Sequence, residues 1–343
     1  MPAAGQDPDQ AFALFPAGWT AASADSAARQ EIVGRAVQAL DRRPGALRDL
    51  HTEGLLPGHA TREAGIVAKR DQLVAFDLAL AWRLTGDRRF LTAASRYLEA
   101  WANIYQQSLN PIDETGFDTM VFASDLVRTD LPLPLRLKLN AFWRRMAVGY
   151  LDAMDANPRN ATTNWQSHRV KLAAVMAFAS GNKDLVLRAR NAFRRQVGVN
   201  ILPDGSVKDF HTRDALHYVT YDLDPLLLAA LVAKAHGEDW FSWRSRTGSS
   251  LPLALRWLEP YADGRAEHIE FVRSQVPFDR ERAAAGDTEY APHAWRRGSA
   301  VRTYALATLC DKSYARLLSR MVADTRRQPS AWLRLVLGPL LQE

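Results

Sequence analysis

Arg213, His217 and Tyr221 recur at i, i+4 and i+8 in the stretch 204–226, DGSVKDFHTRDALHYVTYDLDPL, with Tyr218 beside them. At roughly 100° per residue, that spacing stacks a cation, an imidazole and a phenol on one face of a helix. Such a set can hold an anion and move a proton. The other side of the same helix carries Leu216, Val219, Leu223, Leu226, Leu227 and Ala230, a core-facing apolar stripe. The competing reading is a polar face whose aromatics pack under a neighbouring loop.

A second polar cluster lies at 160–171, NATTNWQSHRVK. Asn164, His168 and Lys171 fall at i, i+4 and i+7 near the start of a helix, with Thr162 or Thr163 as its N-cap. An amide, an imidazole and the positive end of a helix dipole suit a carboxylate. Alternatively, Asn164 only caps and His168 is a satisfied, partly buried imidazole. Trp165, Trp240, Trp243, Trp257 and Trp295 are candidates for stacking on rings or for the core. Arg62, Lys69, Arg70, Arg273, Arg296 and Arg297 are candidates for lining a cleft that takes a polyanion. Hydrolytic chemistry would instead need a carboxylate pair, Asp204 with Asp209 or Asp222 with Asp224. No His-Glu-x-x-His or paired-Cys motif occurs and the eight histidines have no ligand spacing, so no catalytic metal is expected. The glycines form no phosphate-binding fingerprint, and no cofactor is expected.

Both clusters need helices to present them. A helix is expected from Ser26 to Leu40 with Asp25 as N-cap. After the loop 51–65 comes IVAKRDQLVAFDLALAWRL, which ends at Thr85-Gly86-Asp87 and hands over to RRFLTAASRYLEAWANIY. The same device, a Gly C-cap and then a polar residue that starts the next helix, is expected at Gly181 and Gly237. The interval from Gly86 to Gly181 fits two helical hairpins of about 45–50 residues, the middle one turning on Pro within 119–154. Few segments alternate like strands. The chain is therefore read as all-α, an α/α toroid (an incomplete α/α barrel) of stacked antiparallel hairpins. An open solenoid fits the periodicity too; the toroid is preferred because polar groups sit on faces that would otherwise meet bulk water. Residues 1–25 are expected to form an arm and 26–343 a single domain. The loop 106–118 is long and carries Asn110, Asp113, Glu114 and Thr115, and the Gly- and Pro-broken, Arg-rich segment 259–299 is a functional candidate or a surface excursion.

The 343 residues, 47% hydrophobic and 24% charged, are enough for a full core. A net charge of +6 suits an acidic partner, but the basic residues are scattered and no nucleic-acid-binding motif appears. No run of 18 apolar residues is present, so no membrane insertion is expected. The opening MPAAGQDPDQAFALF lacks the charged and apolar regions of a secretory leader. The one cysteine, Cys310, has no partner for an internal disulfide and reads as a buried thiol.

The order Asn-Trp-x-x-His, a long apolar helix, Gly-Asn-x-Asp, Asp-Gly-Ser and then Arg-x-Ala-Leu-His-Tyr-x-x-Tyr-x-Leu-x-Pro-Leu resembles the alginate lyase domain family of polysaccharide lyases. The resemblance covers roughly 50–245 and is clearest over 160–240. It implies an α/α toroid, β-elimination on an acidic polysaccharide and a periplasmic or secreted location. It implies Tyr221 as base and acid, with Tyr218 second and His217 as supporting donor or alternative base. Asn164, His168 and Arg213 would neutralise the uronate carboxylate. Trp165, Gln166, Arg169, Lys69, Arg70, Glu114 and Arg273 are expected to bind substrate. Two departures stand out. Thr163-Asn164-Trp165 occupies the place of the family's Asn-Asn-His, and the arginine before the tyrosines is displaced by one position. These point to a divergent branch that accepts polymannuronate or another polyuronate such as glucuronan. A toroidal hydrolase of acidic oligosaccharides and a non-enzymatic helical-repeat binding protein are the alternatives; oligomeric state is not readable.

Overall fold

The computed structural model describes residues 11–21, 25–157 and 162–338; most of the expected arm, and Asn160 and Ala161 of the second cluster, lie outside them. Helix α1 (Ser26–Ala39) starts where expected, the Asp25 carboxylate accepting from the Ala28 N–H at 2.7 Å. Helix α2 (Ala60–Thr85) begins inside the stretch read as a loop, because the His59 side chain accepts from the Thr61 N–H and serves as an N-cap. Gly86 ends α2 at φ 73°, and Asp87 then caps α3 (Arg88–Ile104). Helices α4 (Phe117–Val127) and α5 (Leu133–Ala156) are joined by a short 3-10 turn and Pro132. Gly181, at φ 67°, and Asn182 repeat the Gly device between α6 (Asn164–Ser180) and α7 (Lys183–Asn200).

Two expectations fail in the C-terminal half. The helix expected to carry Arg213, His217 and Tyr221 together is broken into α8 (Lys208–Arg213) and α9 (Leu216–Ala235). Gly237 does turn left-handed, but no helix follows it. The Asp239 carboxylate binds the Ser242 N–H in a turn instead, and α10 (Leu251–Ala262) starts only at Ser250. The segment 259–299 is structured. It holds the two-residue strands β1 (Ile269–Glu270) and β2 (His293–Ala294), paired antiparallel, and α11 (Pro277–Ala284) between them. Helices α12 (Val301–Cys310), α13 (Ala315–Thr325) and α14 (Ala331–Leu337) complete the chain.

Helices α2, α4, α6, α9 and α12 form the inner layer of an incomplete α/α toroid. Each packs on a neighbour: α2 on α4, α4 on α6, α6 on α9 and α9 on α12. Helices α4, α6, α9 and α12 are buried on nearly every side, as their place in the inner layer requires. Helices α3, α5, α7 and α13 lie outside, each against the inner helix before or after it. Helix α14 packs on both α1 and α12 and so joins the two ends of the arc. Among the described residues no helix is long and apolar enough to cross a membrane.

The described part of the arm is built into the core. Phe15 is buried against Phe76 and Phe122, and both of those rings meet Trp332 of α14. Its backbone is held by one carboxylate: Asp125 Oδ2 accepts from the N–H groups of Ala13, Leu14 and Phe15 at 2.9, 2.9 and 3.3 Å. Burial pushes the Asp125 carboxyl up to about 6. Asp125→Ala, which strands buried N–H donors, should lower unfolding stability by about 2–4 kcal/mol, and Asp125→Asn, which keeps an acceptor, by less. Denaturant unfolding of the two variants checks this order; equal stability of all three proteins would contradict it.

Candidate active site

Two inner helices present the chemistry, and each is capped by a carboxylate from far along the chain. At the start of α6 the Thr163 side chain makes no cap bond. Asp209 replaces it, accepting from the Asn164 backbone N–H at 2.8 Å and from the Asn164 amide at 2.6 Å. The positive helix end read as a site for a substrate carboxylate is therefore filled by the protein's own Asp209. Helix α9 is treated the same way. Glu270 of β1 accepts from the Leu216 and His217 N–H groups at 2.5 and 2.9 Å.

Asp214 separates Arg213 from α9. It sits at φ 52°, in the left-handed region that Asp tolerates better than most residues. Its carbonyl accepts from the Phe271 N–H and its carboxylate from the Arg273 N–H, so the break is held by the β1 segment. Arg213 consequently turns to Tyr218. The guanidinium donates to the Tyr218 hydroxyl at 2.7 Å, lies 4.1 Å from its ring centroid and pairs with Asp279 of α11.

Tyr221 occupies the centre. Its ring stacks on His217 at 5.8 Å and 13°, and it meets the ring of His168 at 4.4 Å. Tyr218 is 5% exposed with its hydroxyl engaged, whereas Tyr221 is half-buried and faces a cavity of about 330 Å³ shared with His168, Lys171, Asp224 and Arg302. Pro225 lies in α9 four residues after Tyr221, so the Tyr221 carbonyl lacks its helical donor. That carbonyl lies near the His168 imidazole and works to raise its pKa, while His168 Nε2 has no hydrogen-bond partner among the described residues. On the other side of the ring, His168 Nδ1 lies 2.6 Å from Thr115 Oγ1, which also accepts from Lys171 Nζ at 2.9 Å. The threonine hydroxyl thus bridges His168 and Lys171, and its role toward Nδ1, donor or acceptor, goes with the imidazole tautomer.

Burial sets the protonation states. It pushes the Tyr221 and Tyr218 phenols up, and the Glu53 charge adds to this at Tyr221. Arg282 of α11, which reaches Glu53 at 3.3 Å and lies over the Tyr290 ring at 4.7 Å, pulls Tyr221 back down. His168 is held well below the usual imidazole range by burial and then by the Lys171 charge. His217 is lowered too; its ring reaches solvent at the mouth of a second cavity yet is closely surrounded by protein. Asp222, buried and beside Asp209, is raised well above the carboxylate range and accepts from Ser167.

The structure brings Tyr221, Tyr218, His217, Arg213 and His168 into one ring-to-ring cluster. Asn164 and His168 are only 3% and 4% exposed, and of the two His168 lines the Tyr221 cavity. The other expected residues lie elsewhere. Glu114 is fully buried, accepting from Tyr105, Tyr150 and Ser108; burial among these donors makes it a support for the 106–118 loop, a correction to its expected contact with substrate. Lys69 is bound to Thr52 and the Ile112 carbonyl, clamping two loops together. Trp165, Gln166 and Arg169 group on the first turns of α6, the Arg169 guanidinium 5.7 Å from the Trp165 ring. Arg70 and Arg273 have exposed side chains. Arg282, Arg302 and Tyr290 were not singled out in the sequence, and Thr115 was noted only as part of the 106–118 loop. All four come from segments far from the motif, and the Arg-rich stretch 259–299 covers Arg282 and Tyr290. Among the described residues no group of three or more His, Cys, Asp or Glu side chains is placed to hold a metal ion.

Residues 21–268 match the family model described as alginate lyase. No curated protein matches the chain. Among solved structures, an alginate lyase from Bacteroides ovatus is similar at 17% identity and a TM-score of 0.66, over 90% of this chain and 92% of that one. Alginate lyase A1-III from Sphingomonas species A1 is similar at 18% identity and a TM-score of 0.54, over 77% and 80%. A variant of A1-III complexed with a tetrasaccharide gives 16% and 0.57, over 88% and 87%. At these identities the likeness is one of fold.

The depressed imidazoles give folding a pH dependence. Below the ordinary value near ~6.5, the unfolded chain takes up protons that folded His168 and His217 refuse, so stability falls as pH drops from there toward their folded values. Denaturant midpoints measured between pH 8 and pH 5 should show that decline, and His168→Gln should flatten it. An unchanged slope in the variant would contradict the assignment.

Proposed function

The chain belongs to the alginate lyase family and is a polysaccharide lyase, and we propose that it cleaves a β-1,4-linked polyuronate, polymannuronate or glucuronan, by β-elimination with Tyr221 as base and then acid. The observation that carries this reading is the setting of Tyr221: a phenol open to a cavity, flanked by two imidazoles that burial keeps neutral.

The C5 proton of a uronate is weakly acidic, and its removal builds negative charge on the C6 carboxylate. Fixed donors that meet this charge lower the barrier. On this reading His168, Arg213 and the Asn164 amide are such donors, each held by a partner that fixes its direction: Thr115, Asp279 and Asp209. Arg282 and Arg302 add positive charge around Tyr221. In β-D-mannuronate and β-D-glucuronate the C5 hydrogen and O4 lie on the same side of the ring. One phenolic oxygen can therefore take the first proton and return it to the departing O4. Burial keeps Tyr221 protonated in the free protein, so as substrate binds its proton must pass to solvent through the cavity it faces. The cations around it favour that step.

His217 is the second candidate for the base, because it reaches the cavity mouth and is neutral at working pH. The carboxylate pairs that hydrolysis would need are otherwise engaged. Asp209 caps α6, Asp222 is fully buried, Asp224 binds Thr303 and Arg302, and Asp204 binds Ser206. On this reading the protein meets its polymer outside the cytoplasm, in the periplasm or beyond the cell.

Tyr221→Phe should cut turnover of the preferred polyuronate by about 10²–10⁴-fold, with the thermal midpoint nearly unchanged. Tyr218→Phe should cost less in rate and more in stability, since it strands the Arg213 donor. Assays of near-ultraviolet product absorbance alongside thermal unfolding check both. Near-normal turnover by Tyr221→Phe would remove that phenol from the reaction and leave His217 as the base.

A further inference from the structure

Beyond the reacting centre, His217 opens onto a second cavity of about 510 Å³, within the size range of ligand pockets. Its walls include Arg296, Arg297 and Arg327, together with Trp295, Glu289 and Ser299. Apart from His217, every lining residue follows position 268 and so lies outside the stretch that matches the family. Pairing of β1 with β2 puts this wall in place: Glu270 lies opposite His293, and the chain continues from β2 directly into Trp295, Arg296 and Arg297. The two strands thereby hold the arginines beside the helix that carries His217 and Tyr221.

Arg297 and the stem of Arg327 pack against the chain, and the arginines are only partly neutralised. The guanidinium of Arg297 lies over Gly264, where a Cβ would come within 2.7 Å of it. The stem of Arg327 lies over Gly298, where a Cβ would come within 3.0 Å of its Cδ. Arg297 pairs with Asp324 at 3.1 Å and donates to the Ala262 carbonyl. Arg296 reaches Glu289 at 3.4 Å, but both side chains are well exposed, so that pair is weak. Arg327 has no ion-pair partner among the described residues. Guanidinium forks left in this state, at the wall of a polar cavity, match a carboxylate.

We propose that this cavity is a subsite for the carboxylate of a sugar neighbouring the one that loses its proton, with Arg296 and Arg327 as the residues that bind it. The assignment rests on the polyuronate reading of the site, and it makes the C-terminal part of the chain a determinant of specificity. A polymer seated across Tyr221 then places one uronate over the His168 side of the phenol and the next toward the His217 side. Uncharged sugars at the second position lose the arginine contacts.

The test uses the full chain with Tyr221→Phe, so that ligand is not consumed. Binding of a β-1,4-linked tetraglucuronate or tetramannuronate is measured by calorimetry against its carboxyl-reduced counterpart. Adding Arg296→Ala and Arg327→Ala together should weaken binding of the charged oligosaccharide about tenfold or more and collapse its preference over the reduced one. Arg320→Ala, an exposed arginine on α13 that does not line the cavity, controls for loss of general charge. In the otherwise native enzyme the same pair should raise KM by a similar factor and leave kcat within about twofold, since uniform binding is what they supply. Unchanged affinity and preference in the double variant would overturn the subsite, as would an equal loss in Arg320→Ala or no binding with all arginines intact. Failure of the native enzyme to cleave any polyuronate would instead count against the lyase reading, and the binding comparison would still decide the subsite.

Discussion

Two buried carboxylates hold the site together from outside the helices that form it. Asp209 satisfies the first N–H of α6 and the amide of Asn164 at once, and Glu270 satisfies the first two N–H groups of α9. A helix start leaves its N–H groups unpaired, and inside a packed toroid water cannot serve them. Each carboxylate meets that demand and faces a positive helix end that offsets part of its desolvation. Both nevertheless stay above the ordinary carboxylate range because burial outweighs the donors. The ends of α6 and α9 are thus fixed relative to α8 and β1, and with them the rings of His168, His217 and Tyr221.

The same balance explains the protonation pattern. Burial, and then the Asp209 charge beside it, push the Asp222 carboxyl up, so Asp222 keeps its proton. Lys171 is the buried cation of the floor, shared among Asp118, the Thr115 hydroxyl and the Thr115 carbonyl, and its charge helps keep His168 neutral. Pro225 contributes by subtraction: it removes the helical donor of the Tyr221 carbonyl, which lies near the His168 imidazole. Polar groups in the floor are therefore oriented before any ligand arrives, which is the condition under which fixed dipoles stabilise developing charge.

Local chemistry was the legible part of the sequence. Asp25, Asp87 and Asn182 cap helices, and Gly86 and Gly181 end them, because these effects act within a turn of the residue concerned. The aromatic motif around Tyr221 was legible for the same reason. What depends on distant partners was not. Nothing near Arg213 announces the break at Asp214, which β1 and the residues after it hold from more than fifty residues away. Glu270 carried no signal, Asp209 read only as half of a possible hydrolytic carboxylate pair, and the charge of Arg282 acts on Tyr221 only because the chain after β1 folds back toward α9. Glu114 looked like a loop residue able to touch substrate, yet the phenols of Tyr105 and Tyr150 enclose it. The stretch after Gly237 shows the reverse case: the C-terminal signal is correct, but Asp239 caps a turn at Ser242 where the pattern equally allows a helix start.

The central claim is elimination by a single phenol on sugars whose C5 hydrogen and O4 share a face. The most direct measurement supplies polymannuronate, glucuronan and polyguluronate in turn, without added cofactor, and follows product absorbance alongside the appearance of reducing ends. The account predicts absorbance rising in step with chain cleavage on polymannuronate or glucuronan, and little on polyguluronate, whose C5 is inverted. Chain cleavage without absorbance, or activity confined to polyguluronate, would contradict it.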